Sequence, residues 1–278
     1  MNDFLRTTNW RFIDQSLSML TRSPLESFAM DDTLCHLTGH GESLPVIRTW
    51  VHNEAIVLGI QDHRLPHIEE GMELLRNAGY EPIVRNSGGL AVVLDPGVLN
   101  ISIIFSETEP TSIDKAFSYM VDLVKGIFPE VANKIEAYEI VGSYCPGTYD
   151  LSIGGRKFAG ISQRRMQNGI AVQVYLCIEG SGSERAALIR DFYLASLQGE
   201  KTKFSYPVVV PEVMASMQEL TNTNVTVAEI NMRIQRLLFE WNLATQLLPL
   251  QEEELSYYTY YLERVFKRNA SLLKKQGK

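Results

Sequence analysis

The chain has 278 residues, of which 45% are apolar, 21% charged and 9% aromatic, a composition that excludes the disordered and fibrous classes. The 26 Lys and Arg stand against 33 Asp and Glu, a formal charge of −7, which argues against broad nucleic-acid or anionic-membrane binding. Cys35, Cys145 and Cys177 are odd in number and show no CxxC spacing, so they read as reduced thiols of a cytoplasmic protein. With no basic-then-apolar leader and no 18-residue apolar run, the expectation is a soluble, unexported chain.

Ser23-Pro24-Leu25-Glu26 combines a helix cap, a proline at the first helical position and a glutamate three residues after the cap, predicting a helix toward Gly39. The β-branched runs Pro45–His52 and Ala55–Ile60, parted by Asn53-Glu54, read as a hairpin. A helix over Pro66–Ala78 ends at Gly79. Strands follow at Glu81–Arg85, Leu90–Asp95 and Val98–Phe105, with Asp95-Pro96-Gly97 as the turn between the last two. Ile113–Ile127 has helical spacing. Lys134–Val141, Tyr149–Ile153, Lys157–Gln163 and Ile170–Ile178 alternate like strands, and Asn168-Gly169 signals a hairpin between the last pair. Helices are expected from Gly182 to Leu197, from the capping box Thr226–Glu229 to about Leu243, and over Glu252–Lys275. Gly199–Pro211 is the best linker candidate. The pattern predicts one α+β domain with helical C-terminal appendages.

Nucleotide-binding, serine-hydrolase and zinc-protease signatures are absent from the sequence. His36 and His40 lie four apart on the first strong helix, a spacing that shares one face, but no third ligand completes a metal site. Two segments stand out. Arg85-Asn86-Ser87-Gly88-Gly89 is a paired-glycine turn introduced by an arginine, where glycine either admits a ligand close to the backbone or satisfies a tight loop. Gly142-Ser143-Tyr144-Cys145-Pro146-Gly147 places a cysteine in a Gly/Pro-flanked loop twelve residues before Lys157. Cationic neighbours (Lys157, Arg156, Arg164, Arg165) would lower its pKa toward a reactive thiolate, whereas Cys35 and Cys177 read as buried small hydrophobes.

VRNSGGLAVVLD resembles the arginine/glycine loop of the lipoate-ligase and biotin-ligase superfamily, and GRKFAGISQ resembles its lysine segment. Together with GSYCPGTYDLSI, ESFAMDDTL and VLGIQDHRLP, the chain is similar to octanoyltransferases of the LipL type. Leu90 stands where the superfamily has a third glycine and Leu94 where it has a histidine, which weakens an ATP-dependent ligase reading. The cysteine precedes the lysine, as in the LipL and LipM types.

The resemblance implies a lipoate/biotin protein ligase-like mixed β-sheet flanked by helices, with a helical C-terminal extension; residues 40–250 approximate the catalytic region of a single domain spanning 1–278. It implies octanoyl transfer from glycine cleavage system H protein to the lipoyl domains of 2-oxoacid dehydrogenases, without cofactor or metal. Cys145 would be the nucleophile that carries the acyl thioester, and Lys157 would lower its pKa and serve as general acid and base. Arg85, Ser87, Gly88, Gly89 and Gly160 would bind substrate. The oxyanion donors are open between Gly88, Gly89 and the backbone near Cys145, and an apolar slot is expected along Ala91–Leu94 and Ile101–Phe105. Because both protein substrates are expected to be acidic, Arg48, Arg85, Arg156, Arg164 and Arg165 are expected to form a positive rim. The rival readings are an acyl-carrier-protein donor (the LipM type), a ligase, and a non-catalytic lipoyl-domain binder, against which retention of Cys145 and Lys157 argues.

Overall fold

The computed structural model describes residues 3–86, 88–107, 110–242 and 244–274. In chain order these form α1 (Asp3–Thr7), β1 (Arg11–Gln15), α2 (Pro24–Gly39), β2 (Val46–Trp50), β3 (Ala55–Leu58), α3 (Ile68–Asn77), β4 (Glu81–Val84), β5 (Val92–Leu94), β6 (Val98–Ser106) and α4 (Ile113–Ile127). Then come β7 (Ile135–Ala137), β8 (Leu151–Ile153), β9 (Arg156–Met166), β10 (Gly169–Cys177), α5 (Gly182–Leu197), α6 (Met217–Thr221), α7 (Val227–Trp241), β11 (Gln246–Leu247) and α8 (Leu255–Lys274).

A mixed eight-stranded sheet runs β11-β1-β2-β6-β10-β9-β8-β7, and a small sheet runs β4-β3-β5. β6 and β10 pair antiparallel from Val98↔Cys177 to Ser106↔Gly169 and form the spine of the large sheet. Period-two alternation sends Ile101, Ile103, Phe105, Val172, Val174 and Leu176 to one face, where they pack with α1, α4 and α7. Each such fully buried side chain contributes roughly 1.5–3 kcal/mol. The opposite face carries Asn100, Ser102, Gln173 and Tyr175 and is roofed by α2 and the small sheet. The functional residues lie in that roofed layer.

Local signals explain most elements. Ser23 caps α2 by accepting from Leu25 N–H, with Pro24 opening the helix; Ser181 and Thr226 cap α5 and α7 in the same way. Gln167 and Asn168 take φ of +51° and +58° in the two-residue β9–β10 turn, the left-handed pair that such a hairpin requires.

The expected β2–β3 hairpin does not form. β2 is flanked by β1 and β6, so neither of its edges is available, and β3 instead joins β4 in parallel and β5 antiparallel. Of the expected strand Lys134–Val141 only Ile135–Ala137 pairs, because Tyr138 and Ile140 turn their N–H groups onto the backbone and carboxylate of Asp150. The linker candidate Gly199–Pro211 is packed rather than free: Tyr206 donates its hydroxyl to Gln61 O at 2.7 Å and Val210 N–H bonds Gly142 O at 2.8 Å. Strand β1 carried no sequence prediction. Among the described residues no helix is long and apolar enough to cross a membrane.

Candidate active site

The loop between β7 and β8 holds Cys145 at φ +47°, a left-handed conformation that disfavours a non-glycine residue by about 1–2 kcal/mol. A buried lysine holds the loop there. Lys157 Nζ lies 2.9 Å from Asp150 Oδ1, 3.2 Å from Ser143 Oγ and 3.0 Å from the carbonyls of Tyr144 and Cys145. Both partners of the ion pair are at most 1% exposed, and Tyr144 and Tyr175 stack at 5.8 Å with Nζ near both ring faces. Burial pushes the Asp150 carboxyl up, against the pull of Lys157. Three ammonium protons thus meet four acceptors, all of them on the loop that carries the cysteine.

A register shift explains why Lys157 points this way. The β8–β9 ladder skips between Leu151↔Ala159 and Ser152↔Lys157, so Phe158 and Ala159 both enter the core beneath the sheet. This bulge turns Lys157 to the face that Gly160 and Ser162 share.

Cys145 is half-buried, and its Sγ accepts from Leu90 N–H at 3.2 Å and lies 3.5 Å from Arg85 Nη2. The same Nη2 donates to Leu90 O at 2.6 Å. Gly89 (φ +107°) must be glycine, since a Cβ there would sit 2.1 Å from Arg85 Nη2 and 3.3 Å from Sγ. Asp62 supports this loop from below: its carboxylate accepts from Gly59 N–H at 2.7 Å and from Tyr193 hydroxyl at 2.9 Å. Burial pushes the Asp62 carboxyl up to about 6. A side chain at Gly59 would collide with Gly89 O at 1.9 Å.

Arg85 and Cys145, 3.5 Å apart, each border a separate space. A slot of about 380 Å³ runs between the sheets, lined by Val57, Val92 and Leu94 above and by Gly160, Gln173 and Tyr175 below, with Phe28 and Trp50 beside them; Arg85 also borders it. A wider cleft of about 1260 Å³ opens over Gly88, Gly89, Leu90, Cys145 and Pro146, walled by Phe204 and Tyr206. Of the expected slot strands, Val92 and Leu94 line it. Ile101–Phe105 does not, because its apolar members Ile101, Ile103 and Phe105 face α4 and the neighbouring Asn100 is what reaches the slot.

The structure therefore brings Arg85, Gly88, Gly89, Cys145, Lys157 and Gly160 into one region; Ser87 lies outside the described residues. The expected positive rim is broken up: Arg156 is half-buried with Glu219 as an electrostatic neighbour, and the other four arginines are buried or paired. Arg48 is fully buried against Asp31 at 3.2 Å, and Arg85 is buried. Arg164 pairs with Asp32 and reaches Asn86 O, and Arg165 pairs with Glu107. His36 and His40 do share a face, with their rings stacked at 4.4 Å and His36 bonded to Tyr261 of α8. Cys35 and Cys177 are buried, as expected. Asp150, Asp62, the Leu90 amide and the Phe204–Pro207 wall were not anticipated, although Asp150 and Asp62 sit within GTYDLSI and VLGIQDHRLP.

The two-layer fold thus sets an apolar slot, a cysteine in a cleft beside it and a buried lysine on one side of the large sheet. Among solved structures, a putative lipoate protein ligase from T. acidophilum with bound lipoic acid superposes with a TM-score of 0.67 at 17% identity, covering 91% of this chain and 95% of that one. Lipoate-protein ligase A bound with ATP gives 0.67 at 18% identity, with the same coverage. The family model for the lipoyl protein ligase A/B catalytic domain matches residues 23–239, and the chain belongs to that family. Relatives named octanoyl-[GcvH]:protein N-octanoyltransferase are 63% identical in Lysinibacillus sphaericus, over 99% of both chains. They are 50% identical in Geobacillus kaustophilus, over 98% of this chain and 97% of the relative, and 45% in Staphylococcus aureus, over 97% and 96%.

Proposed function

We propose that the chain is an ATP-independent N-octanoyltransferase that takes the octanoyl group from an octanoyl-lysine of glycine cleavage system H protein and delivers it to the lysine of lipoyl domains of 2-oxoacid dehydrogenases, through a thioester on Cys145. The observation that supports this reading is the cysteine in the open cleft, its Sγ 3.5 Å from the Arg85 that borders the apolar slot. The slot suits an eight-carbon chain, and the cleft admits a lysine carried on another protein.

In the first half-reaction the Cys145 thiolate attacks the amide carbonyl, the C–N bond breaks, and the donor lysine leaves as a free amine after taking one proton. In the second half the acceptor amine attacks the thioester carbonyl, the C–S bond breaks, and the amine gives up one proton. The bonds exchanged are both lysine amides, so no ATP is needed, and the thioester divides one difficult transfer into two easier ones. Lys157 is the proposed keeper of that proton, since its ammonium lies 3.0 Å from the carbonyl of the nucleophilic residue.

Incubation with octanoylated H protein and apo lipoyl domain, without ATP, should move the octanoyl mass from one to the other. Transfer from octanoyl acyl-carrier protein but not from the H protein would reassign the donor. Transfer only in the presence of ATP and free octanoate would make the protein a ligase.

A further inference from the structure

We propose that Arg85 and the Leu90 amide, rather than the ammonium of Lys157, hold Cys145 Sγ as a thiolate and receive the sulfur again when it leaves the thioester. This rests on the transferase reading above. Lys157 has no proton left for the sulfur: its three N–H bonds are shared among Ser143, Tyr144 O, Cys145 O and Asp150. The two donors that do reach Sγ are Leu90 N–H at 3.2 Å and Arg85 Nη2 at 3.5 Å.

Arg85 is 7% exposed, and among the described residues no carboxylate forms an ion pair with it. A buried guanidinium with no direct ion pair favours an anion beside it; Asp62 is an electrostatic neighbour of Arg85, and the thiolate is the anion in direct contact with it. The pair of donors is built as one unit, because Arg85 Nη2 also grips Leu90 O at 2.6 Å. That bond fixes the peptide whose N–H points at sulfur, and Gly89 leaves the space for it. The other titratable groups around the sulfur have their own partners: Asp62 accepts from the Gly59 and Ala91 amides and Tyr193 and is an electrostatic neighbour of Arg85, Asp150 pairs with Lys157, and Tyr175 lines the slot wall.

In the first half-reaction the sulfur is therefore already deprotonated when it attacks. In the second, electrons of the breaking C–S bond return to a sulfur facing the same two donors, while Lys157 handles the proton of the amine. A thiolate stabiliser therefore acts on both halves, and a pure proton carrier does not.

The test is the pH profile of Cys145 alkylation by iodoacetamide, followed by intact mass, in the wild type, Arg85→Gln, Arg85→Lys and Lys157→Gln, with melting curves checking that each is folded. Arg85→Gln is expected to raise the midpoint of the alkylation profile by about one pH unit. Arg85→Lys should reverse part of this rise, and Lys157→Gln should leave the midpoint in place while octanoyl transfer falls. An unmoved midpoint in both Arg85 variants, or a rise in Lys157→Gln equal to that in Arg85→Gln, overturns the assignment. Because alkylation needs no octanoyl donor, a wrong substrate reading would leave these profiles intact and show only in the transfer assay.

Discussion

Cys145 is held in a conformation its own backbone disfavours, and the residue that holds it is legible in sequence only as a lysine twelve positions away. The resemblance gave Lys157 a role at the cysteine, but the sequence did not place the two together in space; in the structure Lys157 reaches that loop. Strict alternation along β9 would instead have put it on the face opposite Gly160. The bulge at Phe158-Ala159 reverses this, and a bulge leaves little trace in apolar patterning. Asp150 was not read as functional because a carboxylate after Thr-Tyr in a loop looks like turn chemistry; its role depends on burial, which the sequence does not state. Removing it would strand a buried ammonium, so Asp150→Ala should destabilise the fold by roughly 3–5 kcal/mol in denaturant titration. Loss of less than about 1 kcal/mol would mean that the pair does not hold the loop.

At the scale of elements, the segments that carried the resemblance turn out to touch one another. Asp31 and Asp32 of α2 bind Arg48, Ser102 and Gln173 on one side and Arg164 and Asn86 on the other. Asp62 supports the Gly88-Gly89 turn, and Arg85 meets Cys145. Helix caps and the β9–β10 turn were legible because their chemistry is local. The β2–β3 pairing was misread because it depends on which strand edges are already occupied. The connection after β2 also carries a pH-sensitive group: His52 is 1% exposed, with Nε2 2.9 Å from Ser27 Oγ, and burial, aided by Arg48, lowers its pKa to about 4. The folded protein keeps this imidazole neutral while the unfolded chain protonates near 6.5, so its contribution is intact above pH 6.5 and is lost as pH falls toward 4. The difference is worth roughly 3 kcal/mol. Chemical denaturation from pH 7.5 to 4.5 should show that loss, and His52→Gln should flatten it; an equal slope in the variant would assign the acid sensitivity to other groups.

For the molecule as a whole, net negative charge and acidic protein substrates led to the expectation of a positive rim, but Arg48 and Arg164 pair with Asp31 and Asp32, Arg165 pairs with Glu107 and Arg85 is buried. The cleft wall is apolar. Phe204, Val208 and Val210 are 38%, 84% and 41% exposed, and Val141, next to the Gly142 that Val210 bonds, is 82% exposed. Apolar surface beside the proposed nucleophile fits protein contact by burial rather than by charge. Val208→Asp should raise the apparent KM for the octanoylated protein about fivefold, near 1 kcal/mol, with Cys145 alkylation unchanged; an unaltered KM would move docking elsewhere. The overall fold was legible from alternating strands and capped helices together with the resemblance, whereas the packing of Gly199–Pro211 against the cleft was not, because the bonds that dock it, Tyr206 to Gln61 and Val210 to Gly142, are long-range.

The central claim is that Cys145 carries the acyl group. Intact-protein mass spectrometry of the chain mixed with octanoylated H protein alone should show one octanoyl addition, mapping to Cys145, absent in Cys145→Ala and discharged when apo lipoyl domain is added. Transfer to the lipoyl domain at an undiminished rate by Cys145→Ala would contradict it.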